Sequence, residues 1–265
     1  MTPRRALVVV PARDEAATIT SVVTAIRAVG LPCLVVDDHS DDDTEVLARA
    51  AGARVLRLPV HLGVGGALRL GFRFAVSHGY EVAVQCDADG QHPPELIPQL
   101  LDAQARTGAH LLIGSRFVGE GTSFPIGWAR RVTMRMLSAL VRLRSGQHVA
   151  DTTSGFRCIA EPLLSAFSKS FPTHYLGDTF EAVLVAARAG YRVAEEPVRM
   201  EAREVGRSTA SLGGALRSVI RAVVVAVGGL TFRIDRLADV APAPTPAEPL
   251  RVQEPSLPPQ RQPTG

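Results

Sequence analysis

The sequence predicts an α/β protein built on a mainly parallel sheet with helices on both faces. Through the first half of the chain, short β-rich runs alternate with longer helical patterns, the rhythm of βαβ units. The strand runs are apolar throughout instead of alternating with polar residues, as expected when helices cover both sheet faces. With 265 residues, 46% hydrophobic and 21% charged, the chain can bury one substantial core without metal or disulfide staples.

Ala6–Val10 reads as the first strand, closed by Pro11, and Glu15–Val29 as the helix after it. A strand at Cys33–Asp37, a helix at Asp41–Gly52, a strand at Arg54–Leu58, a helix at Gly65–Ser77 and a strand at Val82–Asp87 continue the Rossmann-like alternation. Pro93 and Pro94 open a helix over Pro94–Arg106, which leads to a strand at His110–Gly114. The rhythm then breaks. A loop from Ser115 to Gly127 precedes a basic helix, Trp128–Arg144, and a polar turn at Asp151–Gly155. More α/β pattern runs to Val198, followed by a charged loop, Arg199–Ser211, and a last helix near Leu212–Phe232. From Asp239 onward 8 prolines fall in 27 residues with almost no periodicity, the composition of a disordered tail. The expected division is therefore a folded domain over 1–238 and a Pro-rich tail over 239–265.

A net charge of +3 gives no ground for a nucleic-acid partner. One lysine, Lys169, stands against 28 arginines, a bias that GC-rich coding explains most simply. Cys33, Cys86 and Cys158 are odd in number and form no CxxC pair, which disfavours a zinc site or a disulfide framework and fits a reducing compartment. The run Ala6–Val10 is too short for a signal-peptide core, and the apolar stretch Ala222–Leu230 falls far below the roughly 20 residues that span a bilayer. The expectation is a chain that does not cross a membrane by itself.

Ligands of open α/β sheets bind beyond the carboxyl ends of the strands. Three such ends are acidic or polar here: Pro11–Glu15, Asp37–Ser40 and Cys86–Gln91. Asp87 and Asp89 can aim hard oxygens at one divalent cation, with Gln91 adding a third. Turn chemistry ahead of a helix is the alternative for an isolated Asp-x-Asp, and the convergence of three such ends on one sheet edge favours the site. Asp37 and Asp38 suit either turn and N-cap roles or contacts to a nucleotide base or ribose, and Glu15 either a helix-dipole partner or a base contact. The stretch Gly63–Ala67 lacks the Lys-Ser/Thr of a phosphate loop, and Leu68 replaces the last glycine of GxGxxG. A tight strand-to-helix turn with close backbone approach accounts for it better.

Six motifs, in order, are Pro11–Glu15, Val36–Ser40, Asp87–Pro93, Gly114–Arg116, Asp151–Arg157 and Arg203–Ser208. Together they resemble the family 2 glycosyltransferases of the GT-A fold, and within them the polyprenyl-phosphate mannose/glucose synthase group, over about Ala6 to Leu230. The resemblance implies a nucleotide-sugar site formed by Pro11, Arg13, Glu15, Val36, Asp38, Asp87 and Ala88, and a Mg²⁺ or Mn²⁺ ion held by Asp87, Asp89 and Gln91. It implies phosphate-facing arginines at Arg116 and Arg203. Two departures stand out: Thr209 replaces a lysine that ends the late motif in some relatives, and Gly177 replaces another four residues before Glu181.

The donor expected on this basis is GDP-mannose or a UDP-hexose, the acceptor a polyprenyl phosphate, and the outcome inversion. A phosphate monoester, with a second pKa of about 6, is already largely ionised and needs no general base. It must instead be drawn toward an anionic donor. Two unit charges 5 Å apart repel by roughly 3 kcal/mol at an effective dielectric of 20. Cations are therefore expected around the junction: Arg116, Arg131 and Arg203 first, with Arg130, Arg157 and Arg207 as further candidates. Ser154, Arg207 and Ser208 join Arg131 as candidates for the acceptor phosphate. Asp178 and Glu181 are the base candidates should the acceptor be a hydroxyl of a saccharide or small metabolite, whereas Asp151 suits a turn-former that braces an arginine. A sugar-1-phosphate nucleotidyltransferase is disfavoured, because its glycine-rich N-terminal loop is missing; a non-catalytic binder is disfavoured by the intact Asp87/Asp89 pair.

Trp128–Arg144 interleaves arginines with apolar residues, and Arg131, Arg135 and Arg142 share a face, which suits either an anionic membrane surface or a core helix with a solvated basic side. The last helix, taken as Arg217–Arg236, suits the interface or the sheet equally. The expected location is cytoplasmic, peripheral to the inner face of the membrane. The resemblance leaves room for a separate small membrane-protein partner.

Overall fold

The computed structural model describes residues 5–118, 128–172, 178–199 and 234–239. Its strands are β1 (Ala6–Ala12), β2 (Cys33–Asp37), β3 (Arg54–Arg57), β4 (Val82–Gln85), β5 (Leu111–Ser115), β6 (Arg157–Ala160) and β7 (Val193–Pro197). Its α-helices are α1 (Ile19–Ala28), α2 (Thr44–Ala50), α3 (Val64–Ser77), α4 (Ile97–Thr107), α5 (Trp128–Ser145), α6 (Leu163–Lys169) and α7 (Asp178–Arg188). The sheet runs in the order β3-β2-β1-β4-β6-β5-β7. All described pairings are parallel except those of β6, which lies antiparallel to both β4 and β5.

Alternation of side chains along β1 builds two separate cores. Leu7 and Val9 enter a layer with α3, α5, α6 and α7, whereas Ala6, Val8 and Val10 enter a layer with α1 and α4. On α1 the buried Ile19, Val22, Val23 and Ile26 repeat at three and four, one stripe turned to the sheet. On the other side Phe72 of α3 meets Phe167 and Phe171 at centroid distances of 6.4 and 5.3 Å, which locks α3 to α6.

The order places β2 and β4 on opposite sides of β1. The chain thus reverses direction across the sheet there, and such a switch point opens a crevice at the carboxyl ends of the strands. Residues Arg13–Glu15 and Asp87–Gln91 leave the sheet at that place.

Several element boundaries differ from those predicted. β1 extends to Ala12, and α1 begins only at Ile19, because the intervening residues are taken by contacts with the β2 tip. The segment predicted as one helix from Pro94 begins with a 3₁₀ turn, Pro94–Leu96. Ile234–Arg236, predicted as the end of the last helix, are irregular and lead into a 3₁₀ turn, Leu237–Asp239. Ile234 and Leu237 pack on the core, and the Leu237 N–H donates to Ala189 O at 2.9 Å. The charged loop beyond Arg199, most of the last helix and the tail from 240 lie outside the described residues.

The run Gly63–Ala67 makes the expected tight entry to α3, where a Cβ on Gly66 would lie 2.6 Å from Leu62 Cβ. Gly63 takes a φ of 81° at the start of α3, a conformation glycine adopts freely. A Cβ on Gly71 would overlap Val9 Cγ1 and press on Val36 Cγ2, so α3 lies against β1 and β2 with no room for a methyl group. Gly71→Ala is expected to destabilise the protein by about 1–3 kcal/mol through overpacking, despite the better helix propensity of alanine. Thermal denaturation of the variant measures it; a raised melting temperature would contradict the packing account.

Candidate active site

The tips of β1 and β2 are laced together by side chains. Asp14, at a φ of 54°, donates its N–H to Ser40 Oγ at 3.0 Å, and its Oδ1 accepts from the Asp41 N–H at 2.8 Å. Next along, the Glu15 N–H reaches Thr44 Oγ1 at 2.9 Å and the Ala16 N–H reaches Asp42 Oδ2 at 3.0 Å. Within the β2 tip, Asp37 Oδ1 accepts from both the N–H and the hydroxyl of Ser40. Burial acts to raise the Asp42 pKa, but hydrogen bonds from Thr44 and Ala16 outweigh it and hold the carboxyl below its ordinary range.

Asp38 is committed in the same way. Its oxygens accept from the Leu62 N–H at 2.7 Å and the Gly63 N–H at 2.8 Å, and His61 Nδ1 stands 2.8 Å from Oδ2. Of the two roles the sequence leaves open for Asp38, the visible partners belong to the structural one, since they form the loop that launches α3. Among the other nucleotide candidates, Val36 is fully buried in the core and Ala88 is buried, whereas Pro11 and Glu15 are half-buried and Arg13 is exposed at the β1 tip.

The β4 end forms a compact turn. The Asp87 N–H leaves the ladder and donates to His92 Nδ1 at 2.9 Å, which places the imidazole proton on Nε2, 3.7 Å from Asp87 Oδ2. His92 is buried and stacks on Phe156 with centroids 5.1 Å apart. Asp89 Oδ1 accepts from the Gln91 N–H at 3.1 Å, and Gln91 Nε2 donates to Asp89 Oδ2. Asp87, Asp89 and Gln91 are all half-buried on this one turn. Among the described residues no group of three His, Cys, Asp or Glu side chains could hold a metal. Two carboxylates fit a hard divalent ion that completes its shell with diphosphate and water oxygens. A second observation supports that fit: a Cβ on Gly155 would lie 3.0 Å from Asp87 Oδ2, so glycine keeps clear the space beside this carboxylate.

Gly155 belongs to the turn that carries the next cluster. Asp151, with no exposed surface, receives Arg116 through Nε at 2.8 Å and Nη2 at 2.9 Å. It also accepts the Arg116 N–H at 3.2 Å, while Arg116 Nη2 reaches Thr153 Oγ1 at 3.0 Å. From β7, Glu195 takes the Ala150 and Asp151 N–H groups, each at 2.8 Å. Burial pushes the Asp151 pKa up, but Arg116 and the backbone donors overcome it and hold the carboxyl below the ordinary range. Asp151 thus braces an arginine, as its position suggests.

Arg157 is not the loop cation expected. It sits on β6 with 2% exposure and donates to the carbonyls of Ser154 at 2.6 Å and Thr179 at 3.0 Å, tying the turn to the start of α7. Ser154, a candidate for the acceptor phosphate, is 1% exposed, and its hydroxyl accepts from the Phe156 N–H. Glu181 is 1% exposed. Arg131 and Asp178 lie in the first turns of α5 and α7, with their side chains outside the described residues; Arg203, Arg207 and Ser208 lie wholly outside them. His92, Glu195 and Gly155 are site residues that sequence reasoning does not single out. Their roles come from partners far along the chain.

Replacing Asp151 by asparagine should cost about 3 kcal/mol at neutral pH, because it leaves the Arg116 charge without its counter-ion. The native pKa lies below the unfolded one, so the carboxylate's contribution is complete above about pH 4 and vanishes as pH falls through the lower native value. Denaturant titrations of wild type and Asp151→Asn should therefore differ most near pH 7 and converge in acid. A gap that widens in acid would contradict this account.

Comparison with known proteins agrees with the geometry. The description "Glycosyl transferase family 2" matches residues 7–164. Polyprenol monophosphomannose synthase of Mycolicibacterium smegmatis is 32% identical over 247 residues, 89% of this chain and 91% of the relative. Undecaprenyl-phosphate mannosyltransferase of Micrococcus luteus is 34% identical over 218 residues, 79% of this chain and 88% of the relative. Among solved structures, glucosyl-3-phosphoglycerate synthase from Mycobacterium tuberculosis, in complex with Mn²⁺, UDP and glucosyl-3-phosphoglycerate, aligns with a TM-score of 0.62 at 27% identity. That alignment covers 85% of this chain and 81% of the other. The same enzyme with Mg²⁺ and UDP aligns with a TM-score of 0.63. The mainly parallel sheet, the carboxylate turn at its switch point and the match over most of the chain lead to one assignment: the protein belongs to glycosyl transferase family 2.

Proposed function

We propose that the protein transfers a hexose from a nucleotide sugar, GDP-mannose or a UDP-hexose, to a polyprenyl phosphate at a membrane surface, with inversion at the anomeric carbon. The observation that carries this reading is the contact of two turns at Gly155. The Asp87 carboxylate, on the turn whose two aspartates suit a donor diphosphate with its cation, lies directly beside the turn that Arg116 and Asp151 hold. The two mannose-transferring relatives named for polyprenol and undecaprenyl phosphates support the acceptor class.

Asp87 and Asp89, with Gln91, would hold Mg²⁺ or Mn²⁺, and a bound ion supplies positive charge against the departing diphosphate. The remaining work falls to the chain's own groups. Pro11, Arg13 and Glu15, at the β1 tip, are proposed to line the donor side of the crevice, while Asp38 holds the Leu62–Gly63 backbone that launches α3. The acceptor phosphate, already ionised, brings its oxygen to the anomeric carbon as the carbon–oxygen bond to the nucleoside diphosphate breaks on the opposite side. Arg116 is fixed in direction by Asp151. Arg131, Arg203, Arg207 and Ser208 are proposed to surround the two anions and screen their repulsion.

A hydroxyl acceptor is the second reading, favoured by the similarity to glucosyl-3-phosphoglycerate synthase. That chemistry requires a base, and Glu181 presents almost no surface, which leaves Asp178. Asp178→Asn should keep turnover within a few-fold with a polyprenyl phosphate, the magnitude of lost local packing and not of a lost general base, which is worth about 10²–10⁴. A thousand-fold loss, with the fold intact by circular dichroism, would favour the hydroxyl acceptor.

The direct test is a screen of labelled nucleotide sugars with Mg²⁺ or Mn²⁺ and a short polyprenyl phosphate, scored for an organic-extractable sugar. Product should form with one donor, disappear with a chelator, and fall at least about 10³-fold in Asp89→Ala, as expected for lost electrostatic stabilisation of the leaving group. Product on hydroxyl acceptors alone would overturn the proposal.

A further inference from the structure

The carboxylates of Asp14, Asp38 and Asp42 accept backbone N–H groups at 2.7 to 3.0 Å. Asp87 is held differently. Among the described residues, two buried side chains flank its carboxylate: Gln85 Nε2 lies 3.5 Å from Oδ1 and His92 Nε2 lies 3.7 Å from Oδ2. Both separations exceed the length of a full hydrogen bond. Gln85 and His92 are 3% and 5% exposed, whereas the Asp87 side chain is 37% exposed. The two donors therefore turn the carboxylate from behind and leave its lone pairs open toward the crevice. The His92 ring acts on the backbone of the same residue, since Nδ1 accepts the Asp87 N–H at 2.9 Å and the proton is left on Nε2. The ring itself is fixed. Phe156 stacks on it with centroids 5.1 Å and planes 16° apart, and Pro93 and Pro94 restrict the backbone that follows. A Cβ on Gly155 would lie 3.2 Å from both His92 Cε1 and Gln85 Nε2, so the imidazole and the amide are packed against the turn that Asp151 pins.

We infer that His92, assisted by Gln85, is a positioning residue for the donor's cation: it aims the Asp87 carboxylate before the ion arrives without consuming the oxygens that bind it. The imidazole is not a ligand itself. Its Nδ1 lone pair is given to the Asp87 N–H, and its Nε2 carries a proton. It acts through Asp87, and it passes the rigidity of the 151–155 turn to the turn that carries the two aspartates. A carboxylate whose direction is set in advance binds an ion without reordering its own side chain, and partners that orient a metal ligand are worth about 10–100-fold in affinity or activity. The inference rests on the reading that Asp87 and Asp89 hold Mg²⁺ or Mn²⁺ beside a donor diphosphate, and adds what orients Asp87 there.

The test is Mn²⁺ affinity of the full chain, read from the paramagnetic resonance of free Mn²⁺ with GDP and, separately, with UDP. His92→Phe keeps a ring against Phe156 and loses both polar contacts; it should bind Mn²⁺ about 10–100-fold more weakly. His92→Asn restores an acceptor for the Asp87 N–H, and His92→Gln restores a donor toward the carboxylate. Each should recover part of the lost affinity, and Gln85→Met should lose several-fold. Nucleotide affinity in the presence of a chelator should be unchanged throughout. Nitrogen-15 shifts of the His92 ring in metal-free wild type should show a bare Nδ1 and a protonated Nε2, a readout that depends on no variant. Full rescue by His92→Asn with none by His92→Gln overturns the inference, because the ring then only braces the turn. Unchanged Mn²⁺ affinity in His92→Phe also overturns it, as does a proton on Nδ1. The two readings fail separately. Normal Mn²⁺ binding by His92→Phe removes the positioning role and leaves the cation site standing. A wild type that binds no Mn²⁺ with either nucleotide removes both, and leaves transfer to a polyprenyl phosphate to the product screen.

Discussion

Asp151 is wholly buried and held in its charged form, a state that costs several kcal/mol unless the protein replaces the lost water. The replacement is a two-pronged guanidinium from Arg116 and backbone N–H groups of Arg116 and Thr153. Glu195 fixes the peptide groups just before it, and Arg157 fixes the carbonyls just after it. The 151–155 turn is thus held from β5, β6 and β7 at once, and its glycine is set against Asp87. Rigidity here has a physical use. A site that stabilises charge in a reaction gains most when its dipoles need not reorganise, and a turn pinned on three sides supplies that condition.

The acidic residues at the sheet edge divide by what they bind. Asp14, Asp38 and Asp42 accept backbone N–H groups of neighbouring loops, and Asp37 Oδ1 accepts the Ser40 N–H within its own turn. They hold the loops together, whereas Asp89 is held within its own turn by Gln91. This division explains why so many acids can cluster without mutual repulsion opening the edge: each structural carboxylate has its charge answered by fixed N–H dipoles.

Much of the fold is legible in the sequence because its signals are local. Apolar strands buried on both faces, such as Cys33–Asp37, and the stripe of α1 are written within a few residues of sequence. The antiparallel insertion of β6 is not, because strand direction depends on neighbours as distant as Gln85 and Ile113, both paired with Arg157. The site divides in the same way. The Asp87–Gln91 turn is a continuous motif and can be read directly; Glu195 acts through a contact 44 residues away and His92 through the ring of Phe156, just ahead of β6. Arg157 misleads because a charged residue flanking a polar turn reads as exposed, and only burial separates a cation that binds carbonyls from one that meets ligand.

The Arg116–Asp151 pair sharpens what the rest of the site must provide. An arginine whose charge is already answered by a buried carboxylate contributes directed N–H groups but little net positive potential. Two phosphate groups meeting at the crevice still repel by roughly 3 kcal/mol per pair of unit charges at 5 Å. The excess positive charge must therefore come chiefly from guanidinium groups that no buried carboxylate already neutralises, because a dication held by the two carboxylates of Asp87 and Asp89 is formally balanced as well. In the proposed enzyme those are the arginines of the late loop and of the start of α5.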